Sequence, residues 1–97
     1  MNDRQKILDK LKALKPELEA RCKVTWIALF GSCVRGEEHE GSDIDVLVDF
    51  AEGASLFDQV HVKQILEEKL GRPVDVVPRD ALHKRLRENV LKEMVEV

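Results

Sequence analysis

The chain has 97 residues, 43% hydrophobic and 36% charged, enough for one domain with a modest core and too short for a second. Its net charge of -3 speaks against a basic nucleic-acid binder, and no apolar run approaches the roughly 18 residues of a membrane span. Two cysteines, Cys22 and Cys33, make no disulfide framework, so a reducing, cytoplasmic setting is expected, with residues 1–97 as a single domain.

Residues 3 to about 21 predict an amphipathic helix, with Ile7, Leu11, Leu14 and Leu18 at helical spacing and Pro16 as a point of kink or restart. Residues 24–30, Val-Thr-Trp-Ile-Ala-Leu-Phe, predict a short buried strand stopped by Gly31. A turn or short helix follows Gly31-Ser32, then an exposed loop to Ser42. Residues 43–50 alternate: Ile44, Val46, Val48 and Phe50 share one face of a strand, and Asp43, Asp45, Leu47 and Asp49 the other. Residues 56–70 predict a helix with Leu56, Val60, Ile65, Leu66 and Leu70 as its apolar stripe, ended by Gly71. Pro73 to Val77 predict a third strand. Residues 80–95 predict a last helix, capped by Asp80, with Leu82, Leu86, Val90 and Met94 four apart. The order α-β-(α)-β-α-β-α predicts an α/β (α+β) fold, a small mixed sheet with flanking helices.

The chemistry concentrates where bases are absent. No Lys or Arg lies between Arg35 and Lys63, while that stretch carries eight acids. Asp43 and Asp45 sit about 6.6 Å apart on one strand face, within reach of one hard cation. For a bare Asp-x-Asp, a wet strand face is the better explanation. Three features favour the cation. Gly31-Ser32 ends an apolar strand, where a tight turn and free N–H groups suit a phosphate. The ten residues between Ser32 and Asp43 allow a return to an adjacent strand. Asp75, between valines, joins the pair if its strand lies beside theirs. Asp49, about 13 Å from Asp45, is too far for the same ion.

Gly31-Ser32-Cys33-Val34-Arg35-Gly36 followed by Ser42-Asp43-Ile44-Asp45-Val46-Leu47-Val48 resembles the signature of the DNA polymerase β-like nucleotidyltransferases. The short length and the ending Leu-Arg-Glu-Asn-Val-Leu-Lys-Glu resemble the minimal, MntA-like antitoxin group of that superfamily. The resemblance implies metal-dependent nucleotidyl transfer. Asp43, Asp45 and Asp75 would be the catalytic, metal-binding carboxylates for two Mg²⁺ ions. Gly31, Ser32 and Arg35 would attend the nucleotide, with ATP as substrate. Asp75 would help deprotonate the acceptor hydroxyl. It also implies a HEPN-type ribonuclease partner, modified with AMP on a tyrosine in a hetero-oligomer, with no direct nucleic-acid or membrane binding. Two other readings are a non-catalytic module masking the partner's basic site and transfer to a small-molecule hydroxyl.

The remaining candidates read as structural. His39 and His61 have no metal-ligand spacing and are expected at the surface. Cys33 has no supporting base. Trp26 is expected in the core. Arg79, Lys84, Arg85 and Arg87 are expected on a solvated helix face.

Overall fold

A computed structural model describes residues 3–31, 34, 43–82 and 84–97, with the backbone alone at 3 and 84–86. The elements in chain order are helix α1 (Asp3–Cys22), strands β1 (Val24–Phe30) and β2 (Ile44–Phe50), helix α2 (Leu56–Leu70), strand β3 (Val74–Pro78), a 3-10 turn (Arg79–Ala81), helix α3 (Lys84–Glu93) and strand β4 (Val95–Glu96). The sheet order is β3-β2-β1-β4, with β2 and β3 parallel and the other pairs antiparallel. The mixed sheet with flanking helices is the α+β architecture expected.

Ile7, Leu11 and Leu18 of α1 are buried, joined by Leu8 and Cys22, with Leu14 packed at their margin. Pro16 lies inside α1, which neither ends nor restarts there. The turn out of α1 is taken by Lys23 at φ 61, whose carbonyl accepts from the N–H of Ala51 at 2.7 Å.

A register shift between Val24 and Trp26 sets the sheet's two faces. One extra residue, Thr25, lets Val24 turn into the core while Trp26 points the other way. The core face carries Val24, Ile27 and Leu29, then Ile44, Val46 and Val48, then Val74 and Val76. Against it pack α1 and α2, which supplies Val62, Ile65 and Leu66.

Two sequence expectations are corrected on the helices. In α2 the buried set is Val62, Ile65 and Leu66, whereas Leu56 and Val60 are 72% and 45% exposed. A 100° step per residue places Leu56 and Val60 opposite the core. A capping box at Ser55 fixes the start of α2, and the left-handed Gly71 ends it as the sequence indicates. The predicted helix over 80–95 is divided. Leu82 takes an extended backbone, φ -66 and ψ 130, between the 3-10 turn and α3. Beyond Glu93 the chain leaves the helix to pair with Ala28 and Leu29, because an open β1 edge offers backbone partners that a helix end lacks.

β3 is an edge strand, and α2 closes its free side. The carboxylate of Glu67 accepts from the Val74 N–H at 3.0 Å, and Gln59 Nε2 donates to the Val76 carbonyl at 3.4 Å. Pro78 has no N–H to offer. No helix among the described residues is long and apolar enough to cross a membrane.

Candidate active site

The register builds the site on the sheet face turned away from α1 and α2. Phe30 pairs with Asp45, and Asp45 with Asp75, so these residues form one row across three strands. The next row is Ala28, Leu47 and Val77, of which the first two are 0% exposed. The third holds Trp26 and Asp49. Asp43 lies one residue before β2, exposed, two positions from the half-buried Asp45. Its neighbour Ile44 donates its N–H to the Pro73 carbonyl at 2.9 Å, pinning the starts of β2 and β3 together. The adjacency of the Asp75 strand, on which the sequence reading depended, is present.

Gly31 brings the turn after β1 to the same row. Its φ is 81, and a Cβ there would overlap Asp45 Oδ2 and lie 3.1 Å from Cγ. Only a residue without a side chain lets the backbone approach this carboxylate so closely. The Val34 N–H donates to the Gly31 carbonyl at 3.1 Å. Ser32 and Arg35, the other expected nucleotide contacts, lie outside the described residues, as do Cys33, His39 and the loop of acids over 37–40.

This donor set suits a hard divalent cation. Asp45 and Asp75 carry carboxylates on adjacent strands, Asp43 a third just before β2, and the Gly31 backbone packs against Asp45. Among the described residues, no three acidic, imidazole or thiol side chains are already gathered into a metal cage. That is compatible with Mg²⁺, which takes one or two carboxylates and completes its shell with substrate phosphates and water.

The third row is occupied by protein. The Arg79 guanidinium stacks over the Trp26 ring, 4.9 Å from its centroid, and its Nη1 lies 3.3 Å from Asp49 Oδ2. Asp49 is thus engaged elsewhere, as its distance from Asp45 implied. Trp26 is half-buried on this outer face, not in the main core, and Arg79 does not lie on a solvated helix face. The sequence held the signal: positions 75, 77 and 79 alternate onto one side of an extended segment, and Arg79 comes directly after Pro78. Arg87 is exposed on α3, as expected, while the side chains of Lys84 and Arg85 lie outside the described residues.

Comparison with known proteins matches the chain to a family. The nucleotidyltransferase domain model matches residues 5–97. The chain is 45% identical over 87 residues to the protein adenylyltransferase MntA of Thermococcus cleftensis, covering 90% of this chain and 88% of that one. A solved structure proposed as a minimal nucleotidyltransferase superposes with a TM-score of 0.83 at 39% identity, covering 100% and 97% of the two chains. A toxin-antitoxin structure with AMP-PNP gives 0.68 at 28% identity, over 99% and 72%. A tri-AMPylated Shewanella oneidensis HEPN toxin in complex with MNT antitoxin gives 0.64 at 25% identity, over 96% and 70%. With the family model spanning nearly all of its length, the chain belongs to the nucleotidyltransferase domain family.

Proposed function

We propose that this nucleotidyltransferase moves AMP from ATP to a tyrosine hydroxyl of a HEPN-type ribonuclease partner and thereby silences it as an antitoxin. The observation that carries the reading is the single row in which the Gly31 turn abuts Asp45 and Asp45 faces Asp75 across parallel strands. The relatives named above, a protein adenylyltransferase and antitoxins crystallised with their toxins, support the acceptor class.

In this reading the turn at Gly31, with Ser32 following, seats the β- and γ-phosphates of ATP. Arg35 steadies that turn. Asp43, Asp45 and Asp75 would hold Mg²⁺, most simply two ions, which supplies charge neutralisation on the phosphates when bound. Asp75, exposed at the sheet edge, would take the proton of the incoming hydroxyl. The hydroxyl oxygen forms a bond to the α-phosphorus, the bond from that phosphorus to the bridging oxygen breaks, and pyrophosphate leaves. The buried Ala28 and Leu47 back the row with apolar atoms, so the carboxylates are held by rigid strands rather than by a loop. The protein has no tyrosine of its own and cannot be the tyrosine acceptor.

Intact-mass spectrometry of protein, partner, ATP and Mg²⁺ tests the reading. The expected result is a partner heavier by one or more AMP groups, with pyrophosphate released and ribonuclease activity lost. An unmodified but inhibited partner would replace transfer by simple masking.

A further inference from the structure

The Gly31 turn is held from two sides. On the outer sheet face Gly31 abuts the Asp45 carboxylate. From the core face comes α1, whose first turn carries Arg4. The Arg4 guanidinium, half-buried, donates through Nη1 to the Val34 carbonyl at 3.5 Å. Val34 in turn donates its N–H to the Gly31 carbonyl at 3.1 Å, and its side chain packs against the core cluster that Ile7 and Leu8 of α1 help to form. The links run from α1 through Val34 and Gly31 to Asp45. Helix energetics alone do not favour a cation here, because the first turn of a helix carries the positive end of its dipole and prefers acids. What Arg4 gains is the long-range contact with Val34.

We propose that Arg4 is a positioning residue for the nucleotide: it fixes Val34, and through Val34 the Gly31 turn, in the arrangement that ATP binds. The ligand named here rests on the transfer reading above; the tether itself does not. A guanidinium bond to a carbonyl is charge-assisted and about twice as strong as a neutral one, so one contact is enough to bias a short turn. The cation also stands behind a turn that receives triphosphate charge, and its field favours that anion without touching it. Arg4 approaches from the core face, whereas Asp45 and Asp75 stand on the other, so it acts on affinity and not on the chemical step. A turn that is competent only part of the time binds with an affinity lowered by that fraction, and saturating ATP restores the competent form. Loss of Arg4 therefore raises KM for ATP and leaves kcat.

Amide hydrogen exchange of the full chain reads the tether without nucleotide. In Arg4→Ala the Val34 N–H should exchange about tenfold faster, while the amides of the buried Val46 and Val48 and the melting temperature stay as in the wild type. Calorimetric titration with AMP-PNP and Mg²⁺ should show Kd raised about tenfold in the same variant, and transfer assays a matching rise in KM with kcat near wild type. Arg4→Lys keeps a cationic donor and should recover most of both effects. Arg21→Ala removes another cation of α1, one that pairs with Glu17 at 2.8 Å, and should change neither, which separates the tether from a general loss of positive charge. Unchanged Val34 exchange in Arg4→Ala overturns the proposal, and so does faster exchange at unchanged AMP-PNP affinity. A fall in kcat at unchanged KM overturns it as well, by placing Arg4 on the reacting atoms. A wild type that binds no AMP-PNP removes the transfer reading and with it the ligand named here, whereas faster Val34 exchange in Arg4→Ala would still sustain the tether.

Discussion

Gly31→Ala isolates the close approach between the turn and Asp45. Two separate effects act at this position. The backbone sits at φ 81, where an alanine is strained by roughly 1–2 kcal/mol. The new Cβ also occupies the space of Asp45 Oδ2, so the carboxylate must leave its rotamer, at a further 0.5–1.5 kcal/mol or so. Gly71→Ala supplies the comparison, since its φ is 68 and nothing lies within 4 Å of a Cβ there. Gly71→Ala should therefore show the backbone effect alone, and Gly31→Ala the sum of both, about 1.5–3.5 kcal/mol. For a domain of this size each kcal/mol moves Tm by about 4–8 °C, which separates the two variants in a melting experiment. A double-mutant cycle gives the sharper reading. In an Asp45→Ala background the overlap with the carboxylate is gone and only the 3.2 Å approach to the Cβ of residue 45 remains, so Gly31→Ala should cost clearly less than it does in the wild type. Nucleotidyl transfer should fall about a hundredfold in Gly31→Ala, as expected when a reacting group is displaced by about 1 Å, and stay near wild type in Gly71→Ala. Strict additivity of Gly31→Ala and Asp45→Ala, together with normal transfer by Gly31→Ala, would refute the reasoning.

Asp45→Asn and Asp75→Asn should each lower transfer at least about a hundredfold, and Asp75→Asn, whose side chain is exposed at the sheet edge, should do so with no loss of melting temperature in metal-free buffer. Asp49→Asn and Arg79→Ala should keep transfer and lose up to about 1 kcal/mol in urea unfolding, because their ion pair is largely screened at the surface and the Trp26 stack is half-exposed. Glu67→Ala should destabilise by about 1–3 kcal/mol in the same assay by stranding the N–H of the buried Val74, whereas Glu67→Gln keeps an acceptor and should recover most of it. Burial, and secondarily the charge of Asp58, pushes the Cys22 thiol above its ordinary value of 9.0. The folded protein thus holds that proton more tightly than the unfolded chain. The associated stability is complete below pH 9.0 and declines above it, and Cys22→Ala should show a shallower decline in alkaline melts; equal slopes would count against it.

Much of the fold was legible because particular residues carried unambiguous signals. The alternation from Asp43 to Phe50 named both faces of β2 before its neighbours were known. Gly71 marked the end of α2 to the residue. Asp75 was readable as a candidate only conditionally, because a charge between valines says nothing about which strand lies alongside; the parallel crossover through α2 decides that. Other features were hidden for definite reasons. Leu82, Leu86, Val90 and Met94 continue one helical period with no glycine or proline to interrupt it, so the extended Leu82 and the two-residue β4 left no mark. In α2, Leu56 and Val60 carry the same spacing of four as a core stripe. A helix with apolar residues on two sides does not announce which side faces inward. The outward turn of Trp26 depends on the extra residue Thr25, whose effect is on pairing register and leaves hydrophobicity untouched.

The bonds from Glu67 and Gln59 to β3 bear on what kind of molecule can deliver a hydroxyl to Asp75. Flexible segments commonly enter enzymes by prolonging a sheet, where main-chain contacts hold almost any sequence in place. Beside Asp75 that entry is narrowed: the Val74 N–H and Val76 carbonyl are taken, and Pro78 brings no donor. A hydroxyl arriving there must come on an object that already has its shape. Under the transfer proposed above, a denatured acceptor is therefore expected to be a poorer substrate than the folded one, a selection among conformations before one among sequences.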